Sequence, residues 1–163
     1  MIRFRALAVL LLVVAGCSGG PVVLSPDGDY FDGLDPALVA EVLGNPTSQW
    51  VIGSFEGEEQ EQVAQGSVVN YGYCREMLRV YQEWTITGVR PELEPPRMPD
   101  SPRGDLAYWW GLTRAEAEDL LASGDIEQWR LGLANPNGNC AHVPAKPGDI
   151  SGPTIAEVVK GAG

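Results

Sequence analysis

The chain predicts a small, mostly α-helical domain, and three observations carry that prediction. An apolar stripe recurs at three- and four-residue steps through residues 67–87. Helix-opening chemistry stands at Asp35-Pro36, at Thr113 with Glu116, and at Asp125. Two distant cysteines, Cys74 and Cys140, suit a single disulfide staple. Four to five short helices around a Trp- and Leu-rich core, with one Cys74–Cys140 bridge, are therefore expected. A small β-hairpin near residues 50–55 is the alternative, and it would make the fold α+β.

The elements follow in order. Four aspartates, Asp27, Asp29, Asp32 and Asp35, crowd one turn-rich stretch. The EF-hand register fails there, because a loop starting at Asp27 puts Phe31 at its fifth position and Asp32 where glycine is needed. Solvated turn chemistry is the plainer account. Asp35 caps and Pro36 starts a helix with Leu38, Val39 and Val42 on its apolar side, and Gly44 closes it. Residues 50–55 are short, apolar and β-branched, so periodicity does not separate strand from helical turn there. The acidic run 56–62 is a solvated helix start or a flexible loop.

The clearest helix covers 67–87. Tyr71, Cys74, Leu78, Tyr81 and Thr85 form its buried stripe, widened by Met77 and Trp84. Residues 88–105 break the pattern with Pro91, Pro95, Pro96, Pro99 and Pro102, giving an extended connection that covers the protein's own hydrophobic face or docks on a partner. Tyr108, Trp109 and Trp110 are too many consecutive aromatics for one face of one element. They are a candidate partner-binding cluster, with packing in the core as the competing role. The capping box Thr113-x-x-Glu116 opens a helix over 114–123. Asp125 caps another through Ala134, carrying Ile126, Trp129 and Leu133, and a last helix runs from Pro153 to about Lys160.

The N-terminus carries an address. Arg3 and Arg5 precede an apolar stretch from Ala6 to Ala15, the layout of a secretory signal. Val14-Ala15-Gly16-Cys17 at its end resembles the lipobox of bacterial lipoproteins. The resemblance implies cleavage before Cys17, diacylglycerol on its thiol and acylation of the new amino group. It covers the export segment alone. Residues 1–16 are then signal peptide, 17–26 a lipidated tether reaching roughly 30 Å at full extension, and 27–163 one globular extracytoplasmic domain.

Charge narrows the partners. Losing Arg3 and Arg5 takes the net charge from −11 to about −13, counting whole charges. That balance opposes nucleic acid, whose phosphates need Lys and Arg clusters. It also opposes anionic headgroups, so attachment to the membrane comes from the acyl chains. In an exported domain Cys74 and Cys140 read as a disulfide rather than a catalytic thiol, and two Cys with one His are too few for a zinc site.

No cofactor or metal is called for by any motif. The single histidine, His142, stands two residues from Cys140, which would place both on one side of an extended segment. A solvated histidine is its plainer role. The resulting expectation is a lipid-anchored cell-envelope protein acting as a binding module for an envelope protein, an incoming protein or a glycan. Two further classes stay open: a phage- or prophage-encoded superinfection-exclusion lipoprotein, and an envelope enzyme working through carboxylates.

Overall fold

Asp35 and Asn45 open the first two helices by the same chemistry. The Asp35 carboxylate accepts from Ala37 N at 2.9 Å, and Asn45 Oδ1 accepts from Thr47 N and Ser48 N at 2.9 and 3.2 Å. Each is followed by a proline, whose missing N–H is no loss at a helix start. The computed structural model describes residues 24–106, 115 and 125–161. Among them lie five α-helices: α1 (Pro36–Gly44), α2 (Pro46–Ile52), α3 (Gly57–Thr87), α4 (Ile126–Ala134) and α5 (Ile155–Gly161). A 3-10 turn at Asp29–Phe31 precedes them.

The fold is thus mostly helical, a small single domain with one disulfide. Among the described residues the β-structure is a single isolated bridge, Pro144 to Thr154. The hairpin alternative at residues 50–55 is overturned, since Asn45 nucleates a helix that runs to Ile52 and then turns back through Gly53. The acidic run 56–62 resolves to the first turns of α3, with Glu58 and Glu59 beside the positive end of its dipole. One helix is therefore not short, since α3 has 31 residues.

Helix α3 is the surface on which the other elements pack. Its buried side includes Val68, Tyr71, Cys74, Met77, Leu78 and Tyr81, matching the stripe expected from sequence except at Thr85, which is exposed where α3 runs past its packing partners. Trp129 of α4 is wholly buried and its indole Nε1 donates to Met77 O at 3.0 Å, so the one polar atom of a large apolar side chain is satisfied. The Cys74–Cys140 disulfide joins α3 to the loop after α4. At the C-terminus Thr154 and Glu157 form a capping box: Glu157 Oε2 accepts from Thr154 N at 2.8 Å.

The proline-rich stretch covers its own protein. Residues 90–99 form neither helix nor strand and lie along α3, pinned at several points. Glu94 N donates to Glu76 Oε1 at 2.8 Å, and Arg79 Nη2 donates to Glu92 O at 3.0 Å. Gly72 permits the close approach, because a Cβ there would stand 3.1 Å from Pro96 Cβ. Further on, the fully buried Gln65 donates to Tyr30 O and Ser101 O and accepts from Arg103 N at 2.8 Å. Gly33, at φ +85°, allows the N-terminal loop to turn beneath Asp100, whose N–H donates to Asp32 O at 2.8 Å.

Removing the disulfide tests how far this small core holds itself. A bridge spanning 66 positions restricts the unfolded chain by about 4 kcal/mol in the loop-entropy account. Cys74→Ala/Cys140→Ala should lose about that much in a urea titration, against the oxidised chain. A difference below about 1 kcal/mol would show that the bridge adds little to the packing.

Candidate functional site

Helices α2 and α3 diverge where the loop after α4 approaches them, and a cavity of about 320 Å³ opens between the three. The capped helix α2, the long helix α3 and one disulfide set its walls. Asn45 fixes the start of α2 and so places Ser48 and Val51. Helix α3 supplies Val63, Ser67 and Asn70 at helical spacing, one turn to the next. The Cys74–Cys140 bridge then holds Asn139 and His142 against α3, and Asn70 Nδ2 donates to Asn139 O at 3.0 Å.

The polar groups around this cavity are neutral. Ser48 Oγ and Tyr71 Oη share a buried hydrogen bond of 2.8 Å. Burial raises the Tyr71 phenol above its ordinary 10, against the opposing bond from Ser48. Burial likewise lowers His142 below its ordinary 6.5, so its imidazole is uncharged at neutral pH. The His142 and Tyr71 rings lie 6.0 Å apart at 59°. Val51, Val63, Val69 and Leu106 give the cavity an apolar side. No charged residue occurs among the described residues lining it, although a fifth of the chain is charged.

A larger groove of about 590 Å³ lies between α1, α3 and the turn at Pro147-Gly148. Its two arginines are engaged by carboxylates, Arg75 with Glu41 and Arg79 with Glu76 and Glu83, and Asp35 caps α1 through Ala37 N. Glu41 also accepts from Gly148 N at 3.0 Å. The groove is a structural junction whose charged groups already serve ion pairs and a helix cap, which makes the smaller neutral cavity the better candidate for a ligand.

The residues singled out from sequence fare differently. Cys74 and Cys140 are brought together and bonded, which removes both sulfurs as nucleophiles and with them any Cys–His pair at His142. His142 itself is partly buried against Tyr71 rather than solvated. That corrects the plainer sequence expectation, and the cause is the bridge two residues earlier. Cys17 and the aromatic cluster Tyr108, Trp109 and Trp110 lie outside the described residues, as does the helix expected over 114–123 apart from Ala115, which is helical. Ser48, Ser67, Asn70 and Asn139 carried no sequence signal, because isolated Ser and Asn look the same in a cavity wall as on a solvated face.

Acid–base chemistry finds little support in the carboxylates whose ionisation is shifted. A general acid needs its pKa raised. For Glu76, burial pushes upward but the Arg79 guanidinium and the Glu94 N–H together hold it below the usual range. Glu127 is held low by Arg130, and Glu157 by the Thr154 N–H and hydroxyl. Among the described residues no three His, Cys, Asp or Glu side chains converge as metal ligands would, and no helix is long and apolar enough to cross a membrane.

The depressed His142 has a consequence for stability. Below the ordinary 6.5 the unfolded chain takes up a proton that the folded chain resists, so stability falls with acid until the folded value is passed. His142→Gln should flatten the pH dependence of the thermal midpoint just below pH 6.5. An unchanged slope would show that His142 titrates alike in both states.

Compared with protein-family models, curated protein sequences and solved structures, the chain matches none of them.

Proposed function

We propose that the chain is a cell-envelope lipoprotein, anchored through acylated Cys17, whose domain is a binding module for an uncharged polar ligand such as a sugar unit of an envelope glycan. The observation that carries the ligand class is the cavity between α2, α3 and the loop after α4. In a chain with a net charge of −11, its described lining is neutral and mixes hydrogen-bonding Ser, Asn and His with valines and a leucine. Such a lining favours a group that offers hydroxyls or amides and an apolar face, since a charged ligand would enter without a counter-charge. The anchor is supported by the Val14–Cys17 motif, and the disulfide suits an oxidising compartment.

Two experiments test the two halves of this reading. Cys17→Ser should remove the acyl mass and release the protein from membranes into the medium or periplasm. Retention of an acylated mass in that variant would overturn the anchor. For the ligand, amide NMR titration with N-acetylglucosamine, mannose, galactose and arabinose should move resonances at Asn70, Asn139 and His142. A single sugar in a site this small should bind with a Kd of about 1 mM, or about −4 kcal/mol. Ser67→Phe, which fills the cavity from α3, should abolish those shifts while the circular dichroism stays unchanged. Shifts scattered over the surface, or none at the cavity, would overturn the sugar assignment.

A further inference from the structure

Residues 42–55 contain no charged side chain, and α3's flank at 62–74 is another such neutral run. Unlike that buried flank, this run reaches the surface. Ser48 and Ile52 face inward, while Trp50 stands 69 % exposed and Phe55 38 %. Ile150, 44 % exposed, lies against the same corner, its Cδ1 3.5 Å from where a Cβ on Gly44 would stand. The single charge on α1, Glu41, is buried and paired with Arg75. An uncharged surface bearing an open tryptophan is unusual on so acidic a chain, and such surfaces are ordinarily covered.

The N-terminal connection reaches this corner. Leu24, the first described residue, is partly buried and borders the shallow depression formed by Leu43, Gly44 and Gln49, the residue before Trp50. Six residues lie between Cys17 and Leu24, so the two are at most about 25 Å apart when the chain is fully extended. Helix α3 alone, with its 31 residues, is about 46 Å long. A tether that short holds its own attachment corner within about 25 Å of the anchor, whereas the far end of α3 can lie well beyond that.

We propose that the outward face of α2, with Trp50 at its centre, is the surface this domain lays against the lipid bilayer. The inference rests on the lipid-anchored reading. The occupant is the headgroup and upper acyl region of the membrane holding Cys17, where an indole is favoured by its apolar body and its N–H. Charge selects the same face. Glu56, Glu58 and Glu59 at the start of α3 and Glu83, Glu92 and Glu94 farther along are exposed and repelled by anionic lipid. Along the chain, charge resumes at Asp27, Glu56 and Asp149, the neighbours of Pro26, Phe55 and Ile150, and so borders the neutral face. The tether supplies a high local concentration, so a face too weak to bind membranes unaided is held there.

The test uses the processed chain in vesicles of phosphatidylcholine and phosphatidylglycerol, with and without brominated acyl chains. Its mass is measured first. If Cys17 is unacylated, the anchor reading fails by itself. Cys17 is then the thiol left outside the disulfide and accepts a maleimide lipid, so the orientation is measured in either case. The expected result is a loss of tryptophan emission with brominated lipid that Trp50→Phe removes. Ile86→Trp, placed at the exposed far end of α3 in the Trp50→Phe background, should not restore the loss. Equal quenching in the wild-type and Trp50→Phe chains would overturn the proposal, as would quenching of the Ile86→Trp probe. A concentration-dependent dimer that Trp50→Ala abolishes, with no quenching, would assign the face to a second copy instead.

Discussion

The constraint on which the structure depends is that one long helix must serve as the partner of everything else. Without a sheet among the described residues, each short element finds its buried surface on α3 or on a neighbour already packed there. Short helices of seven to nine residues are marginal by themselves. Their stability comes from docking, so the docking points matter more than local propensity. Those points recur along α3: Gln65 gathers the 3-10 turn and residues 101–103, Asn70 and Cys74 hold the loop after α4, and the Met77 carbonyl receives Trp129. Glu76 and Arg79 then hold the proline-rich stretch.

Arg75 with Glu41 is the most consequential of these anchors. The pair is largely withdrawn from water and ties α1 to α3, while Gly148 N adds a second partner to the Glu41 carboxylate. Desolvating two charges offsets much of their attraction, so the pair adds little net stability over a well-packed apolar pair. Its effect is on arrangement. Removing either partner leaves a charge stranded in the core, which ordinarily costs about 3–5 kcal/mol, and the alternative packings of α1 that separate the two carry the same penalty. The pair also neutralises the one charge on α1. That is why the corner formed by α1 and α2 presents no carboxylate to its surroundings.

Neutral surfaces in this molecule are therefore produced in two ways. On the outward side of α2 the residues simply lack charge. In the cavity behind it, burial keeps His142 unprotonated and Tyr71 protonated, so even the ionisable groups near the wall are neutral. The two surfaces share α2 but use different sides of it: Ser48 and Val51 face the cavity, while Trp50 points outward. A ligand in the cavity and a membrane at Trp50 would not compete for the same side chains. In the proposed orientation, the common element would give the domain a defined presentation of its cavity.

Much of the architecture is legible in the sequence because it is local chemistry. Asp35-Pro36 and Asp125 cap helices where they stand in the chain, and the three-and-four spacing of Tyr71, Cys74, Leu78 and Tyr81 identifies the buried side of α3. The same logic at Asn45-Pro46 and at Thr154 with Glu157 was equally local, although residues 50–55 looked as much like strand as helix. The Cys74–Cys140 pairing follows from counting once Cys17 is assigned to lipid. By itself, then, the sequence determined a small helical domain, its bridge and most of its helix starts, since caps, periodicity and cysteine number need no distant partner. Only the tertiary structure decided that Gln65 is buried, that Glu41 meets Arg75, and that Ser48, Asn70, Asn139 and His142 border one neutral cavity. Those groups are tens of residues apart, and a polar side chain is stable in the interior only when partners from distant segments meet its hydrogen bonds, a condition no local pattern records.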